Sequence, residues 1–212
     1  MKQINDYIDA VFHHEDALLE EVITSIEENG MPSISVSPSS GKLLTMLISI
    51  SGAKNVLEIG ALGGYSGICL ARGFGNEGRL TSLELDKKYA ELAYSNLSKA
   101  GFGDQVSYIT GSALQSLEKL SVNNKRFDFF FIDADKENYE NYLNYCIELA
   151  DEGALIVTDN VLANGSVADH CVKPKRYTEL MKKFNEVVAN HPRLESVLMP
   201  IGDGMTISRV KK

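Results

Sequence analysis

The sequence predicts a single α/β domain built on a doubly wound, Rossmann-like and mostly parallel β-sheet. From residue 55 onward, short apolar runs alternate with amphipathic stretches, which is the pattern of repeated βαβ units. The runs are apolar on both sides of the backbone, as expected for strands that helices cover on both faces. Only residues 200–204 separate the last two runs, so these two strands should pair antiparallel. The chain has 212 residues, a length that fits one domain spanning 1–212.

The first 50 residues predict helices that precede the sheet. Apolar residues recur at helical spacing over residues 4–28, which indicates one helix or a bent pair. The segment NGMP at 29–32 should end it, and SPS at 37–39 supplies an N-cap and a first-turn proline for the next helix. We expect residues 1–50 to form a helical extension that shapes a cleft or a homodimer contact, because its apolar face exceeds the core available nearby.

The strands and the last helix follow from the same pattern. The predicted strands cover residues 56–59, 79–83, 105–110, 127–132, 154–158, 195–199 and 205–210. A helix over about 176–189 precedes the final hairpin.

Composition and charge exclude several classes of protein. The 21 basic and 29 acidic residues give a net charge of −8, which disfavours a broad surface for duplex nucleic acid or anionic membrane. The three cysteines lie far apart in the sequence and support neither a disulfide framework nor a CxxC zinc pair. The amino terminus resembles no signal peptide and no apolar run reaches membrane-spanning length, so we expect a cytoplasmic protein without membrane association.

A glycine turn follows the first predicted strand in the segment NVLEIGALGGYS at 55–66. Gly60 lies where the backbone must bend or approach a ligand closely. The spacing is Gly-x-x-Gly-Gly, which differs from the Gly-x-Gly-x-x-Gly of dinucleotide sites. Glu58 beside the turn would repel a phosphate and suits a cationic ligand. Glu84 ends the next strand, where an acid can bind both hydroxyls of a ribose or can simply be solvated.

Two later strands end in oxygen-bearing side chains. Asp133 follows one apolar strand, and Asp159 and Asn160 follow the next. Ligands of open α/β sheets bind outside the carboxyl ends of the strands, so these residues should face one crevice. They could cap helices, but three oxygen donors also suit Mg²⁺ or another hard divalent cation such as Mn²⁺ or Ca²⁺. Lys136 could point into the same crevice as a proton acceptor, or it could be a surface lysine.

Taken together, the motifs resemble one enzyme family. VLEIGALGGYS, SLELD, GSA at 111–113, FIDADK, DNVLANG and IGDGM are similar to the metal-dependent class I S-adenosylmethionine O-methyltransferases of the catechol and caffeoyl-CoA type. The resemblance extends from about residue 31 to the end. It implies a seven-stranded sheet with an antiparallel last strand, and transfer of a methyl group to one oxygen of a vicinal dihydroxy aromatic such as a catechol, a caffeoyl compound or a flavonoid.

The resemblance also implies a role for each matching residue. The cofactor S-adenosyl-L-methionine would contact Val36, Glu58, Gly60, Ser66, Glu84, Ala113 and Asp133. The metal ligands would be Asp133, Asp159 and Asn160, with Lys136 and Asp133 as catalytic residues. Asp135 and Asn164 are expected to contact the substrate. Ala163 departs from the aromatic residue of plant members, so the acceptor can differ from a phenylpropanoid thioester.

Three other functions compete with this interpretation. Within the same fold, a tRNA hydroxyuridine O-methyltransferase is an alternative that the net charge mildly disfavours. A nicotinamide-dependent oxidoreductase is disfavoured by Glu58 and by the glycine spacing. A non-catalytic cofactor-binding protein would tolerate loss of Asp133, Asp159 and Lys136. The tyrosines 139, 142 and 145 are interpreted as a helical packing or interface stripe.

Overall fold

Three helices precede the sheet in a computed structural model that describes residues 2–12 and 16–211. They are α1 (Lys2–Phe12), α2 (Ala17–Glu28) and α3 (Pro38–Ser51). For the one helix or bent pair predicted over residues 4–28, the structure describes two helices, and residues 13–15 lie outside the described residues. Ser37 caps α3 by accepting a hydrogen bond from the Ser40 amide, and Pro38 begins the helix as predicted. None of the described helices is long and apolar enough to cross a membrane.

The sheet contains seven strands among the described residues, and the predicted fold class is confirmed. The strands are β1 (Asn55–Ile59), β2 (Arg79–Glu84), β3 (Val106–Thr110), β4 (Phe127–Ile132), β5 (Ala150–Thr158), β6 (Leu194–Met199) and β7 (Met205–Val210). Their order in space is β3-β2-β1-β4-β5-β7-β6. β7 is antiparallel to both β5 and β6, whereas β1 to β5 pair in parallel. The short connection at 200–204 therefore closes the predicted hairpin.

Helices follow the first four strands and precede the final hairpin. They are α4 (Tyr65–Phe74), α5 (Lys87–Lys99), α6 (Ala113–Val122), α7 (Tyr139–Leu149) and α8 (Thr178–Asn190). Alternate residues of each central strand enter opposite cores. Leu57 and Phe130 lie in one apolar cluster, and Val56 and Phe129 lie in the other. This arrangement explains why the strands read as apolar on both sides.

The start of β5 differs from the prediction. The strand begins at Ala150 instead of residue 154 and pairs with Phe127 before a register shift between Phe127 and Phe129. Asp151 and Glu152 are polar and exposed, and Gly153 has a positive φ of 81°, so this stretch resembles a loop in sequence. Between these pairs β4 advances two residues and β5 advances five, an irregularity that sequence periodicity does not indicate.

The parallel register aligns the residues that follow the strands along one edge of the sheet. The Asp133 amide donates to the Ile59 carbonyl at 3.0 Å, one strand across. The Asp159 amide donates in the same way to the Ile132 carbonyl at 3.0 Å. Each residue after a strand is thus hydrogen-bonded to the end of its neighbour, and the polar segments meet at this edge as expected.

Candidate active site

The glycine turn after β1 packs directly against the end of β4. Gly60 has a φ of +96°, and a Cβ atom there would lie 2.1 Å from the carbonyl oxygen of Asp133. Both the backbone conformation and the lack of space require glycine. The turn and Asp133 therefore hold each other in position, which places the predicted cofactor segment next to the predicted metal ligands.

Glu84 at the end of β2 fixes the same turn from the other side. One carboxylate oxygen accepts hydrogen bonds from the amides of Ala61 and Leu62, each at 3.0 Å, and the other accepts from the Asp86 amide. Glu84 is buried but lines the cavity described below. Its carboxylate thus organises the turn and keeps negative charge at the cavity wall.

The Glu58 side chain lies behind the cavity wall, whereas the sequence analysis placed it in contact with the ligand. It is 0 % exposed and does not line the cavity, while its two oxygens accept hydrogen bonds from Ser66 and Ser82, each at 2.6 Å. Burial raises the pKa of Glu58 to about 7, against the effect of the two hydroxyl hydrogen bonds, and the nearby Glu84 and Asp133 raise it further. Ser66 does line the cavity, so Glu58 orients a residue of the wall. Its direct contact with a cofactor stays a prediction.

A cavity of about 940 Å³ opens at this edge of the sheet. It collects most of the predicted site residues: Val36, Gly60, Ser66, Glu84, Ala113, Asp133, Asp135, Lys136, Asn160 and Asn164. A second cavity of about 530 Å³ adjoins it and shares Val36, Asn160 and Asn164 with the first. Asp159 lines only this second cavity, together with Asn5 and Asp6 of α1. The amino-terminal extension therefore forms part of the cleft.

Lys136 lies at the centre of the polar cluster. Its Nζ donates to Asp133 Oδ1 at 3.0 Å and to Asn160 Oδ1 at 2.8 Å, two of the predicted metal-ligand oxygens. The Ala134 carbonyl at 3.0 Å and the Tyr139 hydroxyl at 2.5 Å also lie within hydrogen-bond distance of Nζ, so its three N–H groups serve four acceptors and one hydrogen is shared between two of them. The side chain is only 12 % exposed, so Lys136 is a residue of the site and not a surface lysine.

Asp159 completes the cluster from the end of β5. It is 3 % exposed, and its Oδ1 accepts a hydrogen bond from the backbone N–H of Asn160 at 2.7 Å. Burial raises the pKa of Asp159 to about 8, and the neighbouring charge of Asp133 raises it further. Burial also raises the pKa of Asp133, opposed by the charge and hydrogen bond of Lys136. The Lys136 ammonium is hydrogen-bonded to the partly exposed Asp133, and its charge lowers the pKa of both carboxyl groups against the effect of burial.

This donor set fits a hard divalent cation. The oxygens of Asp133 and Asn160 already hold a cation, the Lys136 ammonium, and Asp159 adds a carboxyl group that burial disfavours in its charged form. In residues 2–12 and 16–211, no three His, Cys, Asp or Glu side chains form a metal-ligating group. A metal at this site would therefore depend on the Asn160 amide oxygen and on oxygens from water or substrate.

Three residues of the site had no functional role in the sequence analysis. Asp203 lines both cavities, and its Oδ1 accepts a hydrogen bond from the Asn164 amide at 2.5 Å. Tyr142 lines the larger cavity and donates to Asp135 at 2.6 Å, and Tyr139 bonds to Lys136. The packing stripe accounts for the buried rings of the two tyrosines but not for their hydroxyl groups. The motif IGDGM was the one available signal for Asp203.

Comparisons with known proteins identify the family. Residues 9–211 match the family model described as O-methyltransferase. The chain is 38% identical over 217 residues to a catechol O-methyltransferase of Niastella koreensis, covering 99% of this chain and 97% of the relative. It is 37% identical over 183 residues to caffeoyl-CoA O-methyltransferase 1 of Eucalyptus globulus, covering 83% and 74%. A crystal structure of the O-methyltransferase from Bacillus cereus in complex with SAH superposes with a TM-score of 0.87 at 37% identity, covering 99% and 97%.

The chain therefore belongs to the O-methyltransferase family, whose members with similar sequences include catechol and caffeoyl-CoA O-methyltransferases. The family resemblance and the assignment as an O-methyltransferase enzyme, both predicted from the motifs, are confirmed.

Proposed function

We propose that this protein transfers a methyl group from S-adenosyl-L-methionine to one oxygen of a vicinal dihydroxy aromatic molecule, with the help of Mg²⁺ or another hard divalent cation such as Mn²⁺ or Ca²⁺. The observation that carries the proposal is the cluster of Asp133, Asn160 and Lys136 at the wall of the larger cavity, next to the glycine turn. The cluster and the turn are in contact through Gly60 and Asp133.

The cofactor would bind along the glycine turn. S-adenosylmethionine carries a positively charged sulfonium and supplies an electrophilic methyl group. Glu84 and Asp133 line the cavity with carboxyl groups, which match a cationic ligand better than a dinucleotide phosphate. We assign Glu84 to the ribose hydroxyls and Ala113 to the adenine side, with Val36, Gly60 and Ser66 around the amino acid part. The bound SAH of the Bacillus cereus structure supports this choice of cofactor.

The metal would be held by Asp133, Asp159 and Asn160. Bound there, the ion would supply Lewis acidity that makes an acceptor hydroxyl group easier to deprotonate. Lys136 lies within hydrogen-bond reach of both Asp133 and Asn160, and in its neutral amine form its Nζ would accept the hydroxyl proton and become an ammonium group. Asp135 and Asn164 would contact the acceptor from the cavity wall. The chain's own residues then act mainly by positioning and by charge compensation.

The names of the relatives support the proposed acceptor class. The names of similar proteins point to catechols and caffeoyl thioesters. A tRNA acceptor is the second candidate, which the net charge of −8 disfavours.

A methyl-transfer assay tests the proposal. Purified protein is incubated with S-adenosylmethionine labelled in the methyl group, with catechol, caffeate, a flavonoid diol or undermodified tRNA, in Mg²⁺ or in EDTA. We expect label in a dihydroxy aromatic product only when Mg²⁺ is present. Full transfer in EDTA would exclude the metal, and transfer to tRNA alone would favour the second candidate.

We also propose a homodimer, since the first helix leaves an apolar face exposed. Ile4, Tyr7, Val11 and Phe12 of α1 are between 49 % and 70 % exposed. Burial of this face by a second copy would remove it from water. Light scattering should give about twice the chain mass, and Tyr7→Glu with Val11→Glu should give the monomer mass. A wild-type monomer would exclude the dimer.

A further inference from the structure

The four hydrogen-bond acceptors of Lys136 fall into two groups. Asp133 Oδ1 and Asn160 Oδ1 belong to the proposed metal ligands. The Ala134 carbonyl and the Tyr139 hydroxyl do not. A divalent ion and an ammonium group repel each other and cannot share the same oxygens at close range. An ion on Asp133 and Asn160 therefore leaves Lys136 with only the second group, in which Tyr139 provides the sole side chain.

The hydroxyl of Tyr139 has a fixed polarity. A phenol has one proton to donate, and this proton goes to the Asp159 carbonyl at 3.0 Å. The lone pairs of the oxygen are thus left for Lys136, at 2.5 Å. Through these two hydrogen bonds, the Tyr139 hydroxyl connects Lys136 to the backbone of Asp159, which is a proposed metal ligand.

The tyrosine ring is also fixed in place. Tyr139 is 1 % exposed, and its ring meets Phe184 of α8 in an edge arrangement with centroids 5.3 Å apart. Lys136 Nζ lies 4.6 Å from the centroid of the same ring, so the π-face adds to its attraction for the cation. A buried side chain in one rotamer can hold a flexible lysine at little further entropic cost.

We infer that Tyr139 is a positioning residue that holds Lys136 beside the metal ligands when the divalent ion takes Asp133 and Asn160, and that Lys136 and the ion otherwise compete for these two oxygens. The inference rests on the proposed function for its catalytic part. The competition is a property of the binding site alone and is measurable without turnover.

The experiment compares Tyr139→Phe, Lys136→Met and the double variant, with Tyr145→Phe as the matched control. Tyr145 lies on the same helix, is partly buried against the same core, and does not line the cavity. Mg²⁺ affinity is measured by calorimetry on each protein without substrate, and kcat and KM are measured with catechol and Mg²⁺. Circular dichroism verifies that each variant is folded, and Phe retains the ring packing against Phe184.

Several results are expected. Lys136→Met should bind Mg²⁺ about tenfold more tightly than wild type, because a competing unit charge is removed. Tyr139→Phe should bind Mg²⁺ several-fold more weakly, because the lysine returns to the ligand oxygens. It should also lower kcat about tenfold with little change in KM for S-adenosylmethionine, the effect of losing one hydrogen bond to a charged group. Both effects of Tyr139→Phe should vanish in the Lys136→Met background, and Tyr145→Phe should match wild type.

Two results would overturn the inference. One is Mg²⁺ binding by Lys136→Met that is no tighter than wild type. The other is an effect of Tyr139→Phe that is absent, or that is equally large without Lys136, since the tyrosine would then act through Asp159 or through the fold. A wild-type protein with no Mg²⁺-dependent methyl transfer would instead contradict the proposed function, and the calorimetry would still decide the competition.

Discussion

At the scale of single residues, buried carboxyl groups set the electrostatics of the site. Glu58 and Asp159 are almost fully inaccessible to water, and burial raises the pKa of both toward or above neutrality. A cationic cofactor and a divalent cation are the ligands that such groups favour. When Glu58 and Asp159 ionise without a cation nearby, their buried charges lower the stability of the folded protein.

The pH dependence of stability should reveal the buried Glu58. Its pKa is about 7 in the folded protein and 4.5 ordinarily, so the folded state retains a proton that the unfolded chain releases. Stability should therefore fall as pH rises from 4.5 to about 7, by up to ~3 kcal/mol from this group. The Glu58→Gln side chain cannot ionise, so this variant should lack that decrease in stability with pH. Urea unfolding at pH 5 and pH 8 measures the loss of stability in both proteins. An equal loss in the two proteins would contradict the effect assigned to the burial of Glu58.

Several residues of the site were predictable, and others were not. Asp133, Lys136 and Asn160 do converge, because the ends of parallel strands share one edge. The depth of Glu58 was not predictable, since a strand pattern gives the face of a side chain and not its distance from the surface. The role of Tyr139 was missed because helical periodicity describes where a ring packs and not which partner its hydroxyl finds.

At the scale of elements, close contacts between turns position the site. The glycine turn after β1 touches the end of β4, and the segment after β5 is bonded to the β6–β7 turn. The amides of Val161 and Leu162 donate to the carbonyls of Gly204 and Asp203. These long-range contacts between loops leave no periodic signal, so sequence reasoning predicted that the strand ends share one edge but not which loop atoms bond there.

Gly60→Ala should destabilise the protein more than a glycine change of similar backbone conformation. The new Cβ would meet the Asp133 carbonyl at 2.1 Å, whereas Gly101, with a φ of +87°, has nothing within 4 Å. We expect Gly101→Ala to cost about 1–2 kcal/mol from its left-handed backbone, and Gly60→Ala to cost at least about 2 kcal/mol more. Denaturant unfolding compares the two variants. Equal losses would show that the turn can move away from β4.

Asp203 should affect the acceptor side of the cleft. Its carboxylate accepts from the Asn164 amide and holds the segment after β5. Asp203→Ala removes this acceptor and should raise KM for the aromatic acceptor about fivefold, while KM for S-adenosylmethionine stays unchanged. Asp203→Asn retains an acceptor oxygen and serves as the control. A change confined to the cofactor KM would place the effect at the glycine turn instead.

At the scale of the whole molecule, the protein is acidic, and the main basic group of its cleft, Lys136, is paired with other residues of the same cleft. The net charge is −8, and Lys136 is bound by Asp133 and Asn160. The fold class and the order of elements were predictable from the sequence, because the central strands β1, β2, β4 and β5 are covered on both faces and keep their apolar pattern. The cleft wall contributed by α1 was expected only in outline, since its contacts join residues far apart in the chain.

Salt dependence should separate the two acceptor classes. Methyl transfer to a small catechol releases no counterions, so its kcat/KM should change less than twofold between 50 and 200 mM salt by the counterion-release argument. Transfer to tRNA should fall steeply over the same range. The assay uses both acceptors at constant Mg²⁺. A steep loss with catechol would contradict recognition by the cleft alone.

The central claim is that Asp133, Asp159 and Asn160 bind one divalent ion, and direct titration with Mn²⁺ tests it. Free Mn²⁺ is followed by electron paramagnetic resonance as protein is added, for the wild type, Asp159→Ala and the exposed control Asp151→Ala. We predict one Mn²⁺ per chain for the wild type and for Asp151→Ala, and loss of that site in Asp159→Ala with the fold retained. Wild-type protein that leaves Mn²⁺ free, or an Asp159→Ala variant that binds it as well, would contradict the claim.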